Sequence, residues 1–531
     1  MKFEITDVFK RSVTLEVDTG CIYHADHPYE VWLDGRPVMQ ARRNVITLTG
    51  LTPDTEYVVG VRAAGEEAAD TQTFRTQAET FLLNVRRFGA AGDGAKDDTP
   101  AIQAAIAACP EGGTVVLPKG EYRSGPLFLK SHMTLWLDEG AVLKGLADRA
   151  SYPVLPGMTE GTGAGEYNLG TWEGNPLDCF ASLVTGIDIE DTDLVGPGRI
   201  DGGADEGDWW EEPKKRRVAW RPNTIFLCRC RHVRLQNLTV GNSPSWTIHP
   251  YYCEDLRVLD LTIVNPYDSP NTDGFDPESC RDVLLLGSRI CVGDDCVAIK
   301  SGKYYMAVSH AMRTERIRIR SCRFREGHGA VTIGSEAACG VDDVRVSGCL
   351  FEGTDRGIRL KTRRGRGEMS RLDHLLFEDI RMDGVALPAT VNMFYYCDPD
   401  GHSPYVQDTG YHEPDEMTPQ IGSLTIRRTQ CTGAGPCGVC VCALPESPVE
   451  EITLEDVGVT FQPAGERRPG VPIMMDGFPE MDGRSFYFNQ VKKLKLRNVR
   501  ISGAADQEPE LTGIGEQEIE GLEYQAGGSG L

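Results

Sequence analysis

Several features typical of other classes of protein are absent from this sequence. It contains no run of about 18 or more apolar residues, so no membrane-spanning helix is expected. It has no excess of basic residues, since 55 Lys and Arg stand against 79 Asp and Glu and the net charge is −24. Because a nucleic acid binder needs a basic face, neither a nucleic acid nor a membrane is expected as a partner.

A disulfide framework and a secretory signal are also lacking. The 17 cysteines are an odd number, which reduced thiols explain more simply than disulfide pairs. No apolar stretch follows the basic start, so we expect a cytoplasmic location, or an extracellular or periplasmic one if the natural chain has a leader. The 59 glycines and 31 prolines favour many turns over a helical bundle.

Residues 1–80 are predicted to form a small β-sandwich. Short segments of alternating apolar and polar residues are separated by turn signals such as Asp34-Gly35. Residues 51–57 and 73–76 resemble a fibronectin type III domain, in which Tyr57 would be the corner tyrosine whose hydroxyl bonds to the backbone. A rigid spacer or docking module is the simpler role for this domain, and a sugar-binding module is the alternative.

Residues 81–531 are predicted to form one parallel β-helix. Strand-like segments recur, at the closest every 23 to 34 residues or so, and begin near Val233, Leu256, Val283, Ile317, Val344, Leu375, Leu424, Ile452 and Leu494. A strand repeat of this period, without helices between the strands, is typical of a solenoid with stacked coils. A helix over residues 101–109 would cover the open first coil.

Four clusters of polar residues fall about one coil apart, at 271–276, 293–296, 327–329 and 359–362, so stacking would bring them together. Asp273, Asp294 and Asp295 would then repel one another. Two charges about 6 Å apart interact by about 3 kcal/mol at an effective dielectric of about 20, so one carboxyl should keep its proton. A protonated acid facing ionised ones can break a glycosidic bond, although aspartates beside glycines are also common in solvated turns.

A run of basic residues begins at the fourth cluster although the chain as a whole is acidic: Arg359, Lys361, Arg363, Arg364 and Arg366. Arg359 and Lys361 are two residues apart on a predicted strand and therefore share a face. Such a pair can grip a substrate carboxylate, and a solvated charged face is the alternative. His328 lies between glycines, which let a ligand approach closely. The cysteines at 437–442 lack a second pair at zinc spacing, so neither a metal nor another cofactor is expected.

In their order along the chain, the four clusters resemble those of glycoside hydrolase family 28, the polygalacturonases. The resemblance extends over roughly residues 82–500 and includes residues 84–94 and 125–130. It implies a right-handed parallel β-helix and inverting hydrolysis of α-1,4-galacturonosyl bonds, with a pectic oligosaccharide as the substrate.

The same resemblance implies a role for each site residue. Asp294 matches the general acid, and Asp273 and Asp295 match the pair that activates water. His328 matches the histidine that supports the acid. The positions that match substrate contacts are Asn271, Arg359 and Lys361, and His249 is expected to line the pocket.

Exo action is expected over endo action. The N-terminal module and residues 243–250 resemble certain bacterial exo-polygalacturonases, and insertions at 157–175 and 397–418 would leave room for a chain end. Three alternatives stay open: the same chemistry on rhamnogalacturonan or xylogalacturonan, a calcium-dependent pectate lyase, and a non-catalytic polysaccharide-binding β-helix. The sequence leaves the oligomeric state unknown.

Overall fold

The computed structural model describes residues 1–63, 65–66, 69–161 and 165–525. Seven antiparallel strands come first and form two sheets of three and four strands. The strands are Phe3–Val8, Ser12–Val17, His24–Leu33, Arg36–Arg43, Val45–Thr49, Glu56–Ala63 and Asp70–Arg75. Leu15, Val31 and Val59 belong to one core between the sheets, so the predicted β-sandwich is confirmed. The Thr52 N–H donates to the Tyr57 hydroxyl at 3.0 Å, as expected for a corner tyrosine.

The following part of the chain winds into a right-handed parallel β-helix, which confirms the predicted fold class. Its strands form three rows. The first row contains Leu82–Asn84, Thr114–Leu117, Thr134–Leu137, Glu190–Val195, Arg231–Gln236, Glu254–Leu259, Arg281–Leu286, Thr314–Arg320, Val341–Ser347, Arg371–Asp383, Gln420–Ile421, Ser423–Ala434, Val449–Phe461, Arg484–Ser502 and Glu510–Gln525. The second row contains Asp93–Asp97, Gly120–Ser124, Ala141–Gly145, Arg199–Asp201, Thr239–Gly241, Thr262–Val264, Arg289–Cys291, Arg323–Arg325 and Leu350–Glu352, and it continues in the long strands of the first row.

The third row carries the candidate site. It contains Leu127–Phe128, Val184–Ile187, Ile225–Cys228, Ile248–Tyr251, Asp295–Ile299, Gly329–Ile333, Arg356–Lys361, Leu387–Asn392 and Cys437–Cys442. Two short antiparallel pairs lie outside the rows: Val154–Leu155 with Cys179–Phe180, and Thr159–Gly161 with Gly165–Tyr167.

The helices are few and short. The α-helices are Thr99–Ala108, Tyr304–Ser309 and Pro404–Gln407, and the 3-10 helices are Val85–Phe88, Arg149–Ser151 and Ala204–Glu206. In the described ranges, no helix has the length and apolar character that crossing a membrane requires. The first helix was predicted two residues too late, because Thr99 is its first residue and Asp98 occupies the capping position.

The strand register agrees with the repeat in the sequence. Val233 pairs with Leu256, and the same column continues through the other seven predicted segment starts as far as Leu494. These positions are buried in one continuous core. The stacking of equivalent apolar residues therefore fixes the register of the coils, because a slip by one residue would turn them outward.

The N-terminal sandwich packs against the first row, away from the strands that carry the site. Phe9 and Val45 share an apolar cluster with Trp136, Leu259 and other first-row residues. Around this cluster, Arg43 pairs with the buried Asp260, and Asp7 accepts from Arg234 at 2.9 Å.

Candidate active site

The three predicted aspartates converge at the start of the third-row strand Asp295–Ile299. One carboxylate oxygen of each of Asp273, Asp294 and Asp295 lies within 4.8 Å of those of the other two. Both Cys296 and Val297 belong to the solenoid core, so the alternation of the strand is broken just after Asp295. This break in the alternation leaves Asp294 and Asp295, which are adjacent in the chain, both on the outside of the solenoid.

Asp295 is held by two cations. Lys361 Nζ lies 3.0 Å from its Oδ2, and Arg359 Nη1 lies 3.2 Å from its Oδ1. Leu360 is in the solenoid core, so its neighbours on the strand point outward together, as predicted. Burial acts to raise the pKa of Asp295, but the charges of Lys361 and Arg359 outweigh it and hold the pKa below its usual range. Asp295 is therefore ionised.

The pKa of Asp273 is shifted in the opposite direction. Its side chain is only 5% exposed, and burial together with the charge of Asp294 raises its pKa to about 7, against the opposing charge of Lys300. The expectation that one carboxyl of the three keeps a proton in mild acid therefore agrees with the structure, and Asp273 is the carboxyl that holds it.

His328 and Asp294 form the open side of the site. Their side chains are 49% and 23% exposed, and His328 Nδ1 lies 3.3 Å from Asp294 Oδ1. This hydrogen bond raises the pKa of His328 despite partial burial. Asn271 lies close to the trio in the chain, and its Oδ1 accepts from Arg221 at 2.7 Å, which leaves its amide nitrogen to contact a ligand.

The prediction that His249 lines the pocket is wrong. Its side chain is 1% exposed, with Nε2 at 2.9 Å from Glu278 Oε2 and Nδ1 at 3.3 Å from Asn223 Oδ1. Trp246 covers it, with the ring centroids 5.0 Å apart. His249 therefore belongs to the packed layer behind the site.

Sequence reasoning missed the cation beneath the aspartates. Lys300 Nζ lies 3.7 Å from Asp273 Oδ2, 3.4 Å from Asp276 Oδ1 and 3.5 Å from Glu336 Oε2. One signal was available, since Lys300 directly follows residues 296–299, the apolar part of the strand that begins with Asp295. Glu336 gave no comparable signal, because it lies in a turn and its neighbours are small residues.

The rest of the basic run holds the second insertion in place. Arg363 and Arg366 contact Asp398, at 3.0 and 2.8 Å. Arg364 is buried and donates to the Asp408 carbonyl at 2.6 Å. These three arginines are therefore buried and do not form a solvated charged face.

The two predicted insertions meet at Lys303. The Lys303 N–H donates to the Gly174 carbonyl at 2.9 Å, and its Nζ lies 2.7 Å from Asp398 Oδ1. The segments 157–175 and 397–418 are thus joined three residues from Lys300. Residues 162–164, within the first insertion, lie outside the described residues.

The donor set of the trio fits a metal ion poorly. A calcium site needs several carboxylate and carbonyl oxygens that are free to coordinate. Both oxygens of Asp295 already have cationic partners, Arg359 and Lys361. The arrangement instead suits proton transfer between carboxyls held in different protonation states.

Comparisons with known proteins identify the family and the fold of the chain. The sequence profile of glycosyl hydrolases family 28 matches residues 160–464, more than half of the chain. The profile of rhamnogalacturonase A/epimerase, pectate lyase-like proteins matches residues 82–147. A probable polygalacturonase of Vitis vinifera is 35% identical over 288 residues, which are 53% of this chain and 57% of that protein. This chain therefore spans little more than half the length of that relative.

Two solved structures share the fold. The family 28 exopolygalacturonase of Yersinia enterocolitica superimposes with a TM-score of 0.71 over 98% of both chains, at 19% identity. The hyperthermoactive exopolygalacturonase of Thermotoga maritima superimposes with a TM-score of 0.63 at 24% identity, over 80% of this chain and 92% of the other. At such identities the likeness concerns the fold alone.

Proposed function

This chain belongs to glycosyl hydrolases family 28, and on that premise we propose that it hydrolyses α-1,4-galacturonosyl bonds of pectic oligogalacturonides with inversion. The observation that carries the proposal is the convergence of Asp273, Asp294 and Asp295, with one carboxyl kept ionised and one kept protonated. An enzyme that cleaves a glycosidic bond by acid and base catalysis needs this pair of states at one pH.

In the proposed reaction, Asp295 is the base. It takes a proton from the water that attacks the anomeric carbon, while the bond from that carbon to the glycosidic oxygen breaks. Asp294 donates its proton to the leaving oxygen, because it is the most exposed carboxyl of the three. Asp273 can pass the proton that it holds to Asp294, since their carboxylate oxygens lie within 4.8 Å of each other, and His328 can supply the next one.

The charges around the base support the proposed substrate class. Arg359 and Lys361 are buried cations beside Asp295, and a guanidinium beside an ammonium suits the carboxylate of a uronic acid. The Asn271 amide would donate to a sugar hydroxyl or carboxylate. These contacts favour galacturonate, and a rhamnogalacturonan is the second candidate because of the profile match at residues 82–147.

Exo action is proposed on the joined insertions. Because Lys303 bonds to both Gly174 and Asp398, the two segments would close the cleft at one end. A closed end accommodates the terminus of a chain, whereas the interior of a polymer needs a cleft open at both ends.

A reducing compartment such as the cytoplasm is proposed for the enzyme. All 17 cysteines lie in the described ranges and are free thiols, most of them buried. Fractionation of source cells would test the location, and recovery of the protein only outside the cytoplasm would contradict it.

The fibronectin type III-like module is proposed to act as a fixed cover for the first row.

The test of the function is product analysis with defined oligosaccharides. Wild type is incubated with trigalacturonate, polygalacturonate and a rhamnogalacturonan oligomer, and the products are separated by thin-layer chromatography. We expect new reducing ends from the galacturonides, a first product of inverted anomeric configuration by NMR, and no unsaturated, ultraviolet-absorbing product. Asp294→Asn should remove activity, whereas Asp268→Asn, at an exposed aspartate of the preceding loop, serves as the matched control. Release of unsaturated products, or no release at all, would contradict the proposal.

A further inference from the structure

A second charged cluster lies directly behind the catalytic trio. The Lys300 ammonium is 4% exposed and is enclosed by Asp273, Asp276 and Glu336, each within 3.7 Å. The Trp246 ring covers it, with its centroid 4.1 Å from Nζ. Asp276 is fully buried, and nothing in the proposed reaction uses it.

The hydrogen bonds of this cluster are incomplete if every carboxyl is ionised. Among the described residues, both oxygens of Asp276 and Oδ1 of Asp273 are buried without a hydrogen-bond partner. The Lys300 ammonium, 3.4 Å from Asp276 Oδ1, is shared with two other carboxyls, and a buried carboxylate with so little compensation is costly. A proton on Asp276 removes one charge and provides an O–H donor for a neighbouring oxygen.

We propose that Asp276 keeps a proton throughout the reaction and, together with Lys300, positions Asp273 from behind. This inference rests on the proposed function for its catalytic meaning, but the protonation itself does not. Asp276 and Lys300 are positioning residues, since both are buried behind the trio.

Asp276 and Glu336, the two carboxyls around Lys300 that are not part of the trio, differ in their surroundings. Burial and the neighbouring Asp273 raise the pKa of Asp276 well above its ordinary value, although Lys300 opposes this. Burial also acts on Glu336, but Lys300 and Lys303 outweigh it and lower the pKa to about 2. One ammonium thus has an ionised partner, Glu336, and a neutral one, Asp276.

The pH dependence of stability tests this assignment without any substrate. Asp276→Asn replaces a neutral carboxyl by a neutral isostere, and Glu336→Gln is the matched control at an ionised carboxyl. The unfolded wild type releases the Asp276 proton above its ordinary pKa of 3.8, whereas the folded protein keeps it. Wild type therefore loses stability relative to Asp276→Asn as the pH rises from about 4 to about 7. We expect the Tm difference to change by about 3 °C or more in favour of the variant.

Glu336→Gln should give the opposite trend. The stabilisation from ionised Glu336 is present above its ordinary pKa of 4.5 and is lost as the pH falls toward about 2. The stability of this variant should therefore fall furthest below that of wild type near neutral pH, and the difference should shrink in acid. If Asp276→Asn follows the Glu336→Gln trend, or fails to fold, Asp276 is an ionised partner of Lys300 and the proposal is overturned.

Kinetics then test the positioning role. We expect Asp276→Asn to lose less than about tenfold in kcat/KM and Asp276→Leu at least about a hundredfold, mostly in kcat. Lys300→Met should lower kcat and shift its pH profile, and Lys300→Arg should recover part of both. Equal losses for the Asn and Leu variants, or an unshifted profile for Lys300→Met, would overturn the positioning role. A wild type without hydrolytic activity would instead contradict the proposed function and leave the stability result standing.

Discussion

Replacing Lys361 by Met removes one of the two cations that keep the proposed base ionised, while the length of the side chain is conserved. Lys361 Nζ lies 3.0 Å from Asp295 Oδ2, and both side chains are buried. Two unit charges at about 3 Å interact by about 5 kcal/mol at an effective dielectric of about 20, which corresponds to about four pKa units. This figure is an upper bound, because water can enter the space left by the ammonium.

Arg359 remains 3.2 Å from the other oxygen of Asp295, so part of the effect persists in the variant. We expect the acid limb of the kcat/KM profile to move to higher pH by at least about one unit. The sign follows from the base role. Asp295 works as the carboxylate, and a raised pKa means that it takes up a proton, and loses activity, earlier as the pH falls.

The assay measures kcat/KM on trigalacturonate from about pH 3.5 to about pH 7.5, with Lys361→Arg as the charge-conserving control. A neutral analogue of the substrate is measured in parallel. If Lys361 serves the base, the shift appears with both substrates, and a further loss on the uronate measures the grip on its carboxylate. An unmoved acid limb on both substrates would refute the reasoning, since Lys361 would then act on the substrate alone.

Three further outcomes are expected. Lys303→Ala keeps the backbone bond to Gly174 but removes the ammonium that contacts Asp398, so it should loosen the link between the two insertions and raise activity on polygalacturonate relative to trigalacturonate, with longer products; an unchanged product pattern would contradict the closed end. Arg43→Ala leaves the buried Asp260 without its main partner and should lower the free energy of unfolding by about 3 kcal/mol in urea titrations. Adding Asp260→Asn to that variant should restore much of the loss, and no recovery would mean that the pair is not what holds the sandwich in place.

The sequence predicts the solenoid well because its core repeats. Val283, Ile317 and Val344 occupy equivalent places in successive coils, and each pairs with the next in the structure. A pattern in which the same apolar position recurs once per coil therefore carries the register directly. The spacing of Arg359 and Lys361 is similar, because alternation along one strand decides which face each side chain occupies.

The positions that sequence reasoning misplaced depend on packing between coils. His249 alternates outward on its strand, yet the Trp246 ring from the preceding turn covers it. Lys300 is buried by carboxyls from two segments that are about 60 residues apart in the chain, Asp273 and Asp276 in one and Glu336 in the other. No periodicity encodes such enclosure, because it depends on how turns of irregular length fold over the row.

The local balance of charge is compatible with the acidic sugar proposed as the substrate, although the protein itself is acidic. At long range, a net charge of −24 repels anions. Close to the trio, however, buried cations face the carboxyls, and the two carboxyls with raised pKa, Asp273 and Asp276, carry little negative charge in mild acid. The cations are Lys300, Arg359 and Lys361. A uronate that enters therefore meets a nearly neutral site whose cations are already in place, and Arg359 and Lys361 can contact its carboxylate without leaving Asp295.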